Sequence, residues 1–302
     1  MVLHEDKENF DIVIKSASRY FNVSSAIIEK DYYVTLILCE LAKEVPDLLF
    51  KGGTSLSKCY KIIDRFSEDI DITLDARNLS QTKRRKLKYT IIEICKKLDL
   101  NLLNENETRS RRDYNCYKID YCASNCLIGL NPQLLVETVF MIKAFPSEVK
   151  QASSMIYDYL KVIGNDAAIK QYELQPFNIH VQTLERTFID KVFAICDYML
   201  ENKIERHSRH IYDLSRLISV IKLDDSLKKL VYVVRNERKE KDKCFSAQDG
   251  VNVPNLLRQL IETNFYKKDY EECTQKLLFK PLSYEEAIKS IVKIIKSGVF
   301  DL

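Results

Sequence analysis

Phe50-Lys51-Gly52-Gly53-Thr54-Ser55-Leu56-Ser57-Lys58, followed by Arg65-Phe66-Ser67-Glu68-Asp69-Ile70-Asp71-Ile72, is the stretch whose reading decides the fold. Leu48-Leu49-Phe50 is a short apolar run halted at two glycines, the pattern of a strand that turns sharply. Glycines there let backbone approach a phosphate, and Thr54 and Ser55 are expected to open a helix whose free N–H groups favour an anion. On its own this turn reads by default as a plain strand-to-helix junction. Asp69 to Leu74 then alternates acid and aliphatic, the period of a half-buried strand. Residues two apart on a strand share a face, so Asp69 and Asp71 converge while Ile70 and Ile72 point into the core. Two neighbouring carboxylates repel unless a cation lies between them, and magnesium suits that place because it leaves sites for water and phosphate.

Working outward, Ser24–Ala42 has helical apolar spacing with Ser24 or Ser25 as cap, and Ser55–Ile63 reads as a short helix. Lys83–Leu98 reads as an amphipathic helix with Leu87, Ile91, Ile94 and Leu98 inward. Tyr117–Cys122 and Leu134–Ile142 are expected to pair as strands, with Gly129, Asn131 and Pro132 between them. Glu137 interrupts the apolar second strand; it either joins Asp69 and Asp71 as a third metal carboxylate or faces outward from a one-sided strand. From Leu184 the pattern is helical: Thr187–Glu201, Ile211–Ile221, Ser226–Arg235, Leu256–Thr263 and Tyr284–Lys296. Composition shifts between residues 165 and 183. The expectation is an α/β (α+β) amino-terminal domain with a mixed sheet, residues 1–165, and a helical carboxy-terminal domain, residues 166–302.

The 47 basic and 44 acidic residues leave a net charge of +3, too small for a global pull toward nucleic acid or membrane. Two local runs stand out, Lys83-Arg84-Arg85-Lys86-Leu87-Lys88 and Arg109, Arg111 and Arg112. Each is first a solvated face, and alternatively a phosphate-tracking patch beside a nucleic-acid substrate. The nine cysteines are scattered, and the amino-terminal stretch lacks the apolar core of a signal peptide, so they read as reduced core thiols. Cys116, Cys122 and Cys126 form a local group without the close pairing or nearby histidine of a zinc site. No apolar run has the length of a membrane span, and a cytoplasmic location with no membrane partner is expected.

The glycine turn and the Arg65–Asp71 block, together with Glu29-Lys30-Asp31-Tyr32-Tyr33, Glu185-Arg186-Thr187-Phe188-Ile189-Asp190-Lys191 and Arg209-His210-Ile211-Tyr212-Asp213-Leu214, occur in an order that resembles the AbiEii/AbiGii nucleotidyltransferase toxins. The resemblance runs from about residue 25 to 220; nothing beyond about residue 225 contributes to it. It implies a polymerase-beta-like nucleotidyltransferase core followed by a helical domain that completes the nucleotide site. It also implies the toxin half of a type IV toxin–antitoxin or abortive-infection system, magnesium or manganese as cofactor, a nucleoside triphosphate as substrate and an RNA such as tRNA as acceptor. The partner it implies is a cognate antitoxin with a DNA-binding domain.

Carried over residue by residue, Gly52, Gly53, Thr54 and Ser55 fall on the phosphate-binding turn, with Lys58 and Arg65 as further nucleotide contacts. Asp69 and Asp71 fall on the metal pair, which Glu137 would complete on the first of its two readings. Lys191 matches a lysine that neutralises phosphate. Asp213 matches an acidic residue that is either a general base or the structural partner of a lysine. Arg65 pairs with Asp69, with a phosphate, or in a structural salt bridge; Glu185 and Arg186 are expected to tie the helical domain to the core. Transfer to a small molecule, or nucleotide sensing without turnover, are the alternatives to transfer onto RNA.

Overall fold

A computed structural model describes residues 2–74, 79–125, 131–141 and 143–301. Asp75, Cys126, Gly129 and Ile142 lie outside the described residues. The chain divides into two compact units, Met1–Lys61 with Ser67–Val181, and Ile62–Phe66 with Gln182–Leu302. The division at Val181/Gln182 falls inside the 165–183 stretch of shifting composition, and residues 166–181 stay with the first unit.

The first unit is built on a seven-stranded sheet in the order β3-β4-β5-β2-β1-β7-β6. Its strands are β1 (Leu48–Lys51), β2 (Ile70–Leu74), β3 (Asn101–Leu102), β4 (Tyr114–Asp120), β5 (Gln133–Val139), β6 (Ser147–Ala152) and β7 (Phe177–Gln182, its last residue in the second unit). β1 is antiparallel to β2 and parallel to β7, β2 is parallel to β5, and β4 is antiparallel to β3 and β5, so the sheet is mixed as expected. The helices are α1 (Lys7–Phe21), α2 (Ser25–Glu44), α3 (Gly52–Lys58), α4 (Gln81–Lys97), α5 (Met155–Val162) and α6 (Asp166–Gln171). Ser24 caps α2 by accepting from the Ala26 N–H, and Ser80 caps α4 by accepting from the Lys83 N–H. Ile37, Leu41, Leu87, Ile91 and Ile94 bury their apolar stripes against Ile70, Ile72, Tyr117, Ile119, Leu134 and Val136, so one face of the sheet forms the core. Alternation leaves Asp71 and Glu137 on the opposite face.

The second unit is helical: α7 (Leu184–Leu200), α8 (Arg209–Leu217), α9 (Asp225–Lys239), α10 (Val253–Glu262), α11 (Lys267–Asp269), α12 (Tyr284–Ala287) and α13 (Lys289–Ser297). Thr183 caps α7, and Asn252 with Pro254 at the first turn starts α10. The single helix expected over Tyr284–Lys296 is two, α12 and α13, separated at Ile288. A π-helical turn follows α11 at Tyr270–Thr274. Segment Ile62–Phe66 joins this unit through backbone bonds: the Phe66 N–H donates to the Leu277 carbonyl at 2.9 Å and the Phe279 N–H to the Asp64 carbonyl at 2.8 Å.

Candidate active site

The glycine turn holds a carboxylate. Lys51 leaves β1 extended, and α3 begins at Gly52, two residues earlier than the sequence suggests. Gly52 has φ +78°, and a Cβ there would stand 2.0 Å from Asp71 Oδ2. Asp71 pairs with Lys51 across β1/β2, so its carboxylate lies over the turn in space that only glycine leaves open. The room at Gly52 is thus taken by Asp71 itself.

Across β2/β5, Asp71 is in register with Glu137, as Ile70 is with Val136 and Ile72 with Thr138. Ile70, Ile72 and Val136 are fully buried, while Asp69, Asp71 and Glu137 are half-buried on the other face. Of the two readings of Glu137, the strand pairing brings it beside Asp71. Tyr114 at the start of β4 donates its hydroxyl to Glu137 Oε1 at 2.9 Å. Cys116 is the register partner of Glu137, and burial with the nearby Glu137 charge pushes its thiol up to about 11, so it stays protonated. No His, Cys, Asp or Glu group of three or more among the described residues is arranged to hold a metal ion. The donor chemistry nevertheless suits a hard divalent cation: oxygen-only carboxylates, partly open to solvent, with Asp71 seated in the space that Gly52 leaves.

The hydroxyls of the turn are used internally. Thr54 donates to the Asp69 carbonyl at 2.6 Å and lies 3.0 Å from Ser67 Oγ, and Ser55 donates to the Gly52 carbonyl at 2.8 Å. Both are fully buried; Thr54 fixes the backbone that carries Asp69, and Ser55 fixes the glycine turn. Lys58 is committed as well: its ammonium donates to Asp31 Oδ1 and to Thr35 Oγ1, each at 2.6 Å, and burial lowers its pKa despite Asp31 beside it.

Residue-type reasoning missed three supports on α2, although their block carries the family resemblance. Glu29 accepts the N–H groups of Ser124 and Asn125 at 2.8 and 2.9 Å. Lys30, fully buried, donates to Glu68 Oε2 at 2.5 Å and so anchors the residue before Asp69. Asp31 holds Lys58 and accepts the Met155 N–H at 2.7 Å. The available signal was three consecutive charges interrupting the apolar face of a helix.

In the second unit Arg65 makes a two-pronged contact with Asp213, Nε to Oδ1 at 2.7 Å and Nη2 to Oδ2 at 2.8 Å. Lys191 donates to the same Oδ2 at 2.7 Å. Burial alone would raise the Asp213 carboxyl, but Arg65 and Lys191 outweigh it and hold the group well below the usual carboxylate range. Arg65 thus forms a buried salt bridge with Asp213, and Lys191 bonds the same carboxylate. Arg186 bonds Asp190 at 3.1 Å and Glu237 at 3.0 Å, so it ties α7 to α9 within one unit; Glu185 is exposed. The cysteines are free among the described residues: Cys95, Cys196 and Cys244 are buried, while Cys122 and Cys273 are exposed rather than core thiols.

Over residues 36–292 the chain matches the family model of the nucleotidyl transferase AbiEii toxin, type IV toxin–antitoxin system, and it belongs to that family. Family membership makes it a toxin-type nucleotidyltransferase, a class that uses a nucleoside triphosphate and a divalent metal and has an antitoxin partner. Its fold is similar to that of MenT4, a nucleotidyltransferase toxin from Mycobacterium tuberculosis, with TM-score 0.64, 18% identity, and coverage of 97% of this chain and 90% of that one. No curated protein matches the chain. Among the described residues no helix is long and apolar enough to cross a membrane.

Proposed function

We propose that the chain transfers a nucleoside monophosphate from a nucleoside triphosphate to a hydroxyl of an RNA acceptor, tRNA in the narrowest form, in the cytoplasm, and that this modification is its toxic activity. The observation that carries the reading is Asp71 beside Glu137 on one sheet face, with Gly52 leaving room for the Asp71 carboxylate. An acceptor oxygen attacks the α-phosphorus in line, the O–Pα bond forms, and the bond from Pα to the bridging oxygen breaks. Pyrophosphate leaves with the electron pair, and the hydroxyl proton passes to solvent.

Magnesium, when bound, lowers phosphate charge and orients the attacking and leaving oxygens. Asp69, Asp71 and Glu137 are the residues that would hold it, and because magnesium takes one or two carboxylates plus substrate phosphates, a closed three-residue cluster is not required. Gly52 to Ser55 contribute backbone N–H groups to the triphosphate, since the hydroxyls of Thr54 and Ser55 are occupied. This reading assigns the ammonium of Lys191, held by Asp213, to phosphate neutralisation. Asp213 positions that charge; a buried carboxylate bound to two cations is a poor base.

The test is incubation with each α-labelled triphosphate, magnesium and total RNA. Label in RNA is the expected result; label in a small molecule, or triphosphate binding without pyrophosphate release, would overturn the acceptor or the chemistry respectively.

A further inference from the structure

The two basic runs, separated in sequence, are one surface of the first unit. From Gln81 to Tyr89, α4 carries Lys83, Arg84, Arg85, Lys86 and Lys88 and no acid. Arg109, Arg111 and Arg112 are exposed on the loop that leads into β4. Side chains join helix and loop: Gln81 donates to Ser110 Oγ at 3.0 Å, Arg84 to Asp113 Oδ1 at 2.8 Å, and Lys88 to the Thr108 carbonyl at 2.9 Å. Residues 81–89 and 105–114 together hold eight basic and three acidic residues, net +5, whereas the whole chain is only +3. The remainder is therefore net negative, and the positive charge is concentrated here.

α4 packs on the opposite face of the sheet from Asp71 and Glu137, and the surface reaches the carboxylate face through the 105–114 loop. The loop runs directly into β4, whose first residue, Tyr114, donates to Glu137. The Arg84 guanidinium lies 4.7 Å from the ring centroid of Phe140, a residue of the core that α4 covers, which anchors the helix end of the surface. Two aromatic rings stand exposed along it, Tyr89 at 50% and Tyr114 at 47%, with the Arg85 guanidinium 5.5 Å from the Tyr89 ring. Clustered guanidinium and ammonium groups bind phosphodiester oxygens, and exposed rings beside them stack unpaired bases.

We propose that the amino-terminal half of α4 and the 105–114 loop form a docking track for the phosphate backbone of the RNA acceptor, delivering its reacting end to the face bearing Asp71 and Glu137. It rests on the RNA nucleotidyltransferase reading above. An acidic protein surface would satisfy the charges as well, but it would leave the two exposed rings and the link to Glu137 without a role.

The experiment measures binding of fluorescently labelled total tRNA by anisotropy between 50 and 200 mM salt. It compares the wild-type chain with Arg85→Glu/Lys86→Glu/Arg111→Glu. The triple variant is expected to bind at least tenfold more weakly, with a salt slope lower by about 2 to 3. Triphosphate binding and melting midpoint are expected to be unchanged. If charge reversal prevents folding, the triple alanine variant is measured in its place and shows the same direction. Wild-type affinity and slope in the variant would overturn the track, as would lost binding to a purified antitoxin with RNA binding intact. A wild-type chain that binds RNA through these residues but never labels it sinks the proposed function and leaves the track; one that labels RNA with an unchanged KM in the variant does the reverse.

Discussion

Asp71 and Asp213 are both aspartates of the motifs that carry the family resemblance, and their surroundings differ in kind. Asp213 on α8 is fully buried, chelated by Arg65 and bonded by Lys191, and its charge is cancelled inside the protein. Asp71 is half-buried on a sheet face, beside Glu137 and against a glycine that leaves it room. The first arrangement fixes two cations in place; the second sets two carboxylates side by side, partly open to solvent. Burial and counter-charge, rather than residue type, separate a carboxylate whose charge is neutralised inside the protein from one left partly open to solvent.

The largest effect that would break this contrast is on catalysis at the open face. Asp71→Asn is expected to lower nucleotide transfer by about 10³-fold with little change in melting midpoint; a variant that unfolds instead would make Asp71 structural. Gly52→Ala, whose methyl would meet Asp71 Oδ2 at 2.0 Å, is expected to lose activity comparably and to destabilise as well, since φ is +78° there.

Next in size is the closed site. Asp213→Ala leaves Arg65 and Lys191 buried without their carboxylate and is expected to cost about 3–5 kcal/mol of stability in denaturant unfolding. Because the folded-state pKa of Asp213 is depressed, its contribution is complete above the ordinary carboxylate range and is lost only as pH falls below it. A loss confined to activity would instead put Asp213 at the reacting atoms.

A smaller, pH-dependent effect belongs to His210, stacked on Tyr198 at 5.8 Å between ring centroids. Burial, helped by Lys191, lowers its pKa well below 6.5, so the folded chain holds it neutral. The unfolded chain then binds the extra proton first, and stability is expected to fall as pH drops below about 6.5, by at most about 1.4 kcal/mol per pH unit. His210→Gln should flatten that slope between pH 7 and 5; an unchanged slope would assign it to other groups. At the bottom of the scale, the surface pair Lys96–Glu93, 67% exposed on both sides, is expected to show no measurable shift in midpoint on Lys96→Ala.

Much of the open face was legible in the sequence. The Asp69–Ile72 alternation identifies its own strand and face, because period two is a local property. Glu137 was visible as a charge in an apolar run, but its place beside Asp71 needed strand pairing, which no local pattern specifies. The closed site was less legible: Arg65 and Asp213 are far apart in sequence, and the motif containing Arg65 is split, Ile62–Phe66 belonging with the helices and Ser67 onward with the sheet. The roles of Thr54, Ser55 and Lys58 were obscured because buried hydroxyls and amines look like ligand groups until their internal partners are known. β6, with Val149 alone among polar residues before Ala152, carries no alternation to read, whereas β7 alternates Phe177, Ile179 and Val181 with polar residues, a local signal the expectation of a domain boundary there passed over.

The most direct test measures pyrophosphate release from nucleoside triphosphates with RNA present, as magnesium is titrated, for the wild-type chain and Asp71→Asn. The expected result is saturable, magnesium-dependent release in the wild type and its near-complete loss in the variant. Equal rates in the two proteins, or release indifferent to magnesium, would contradict the assignment of the β2/β5 face as the site of nucleotide transfer.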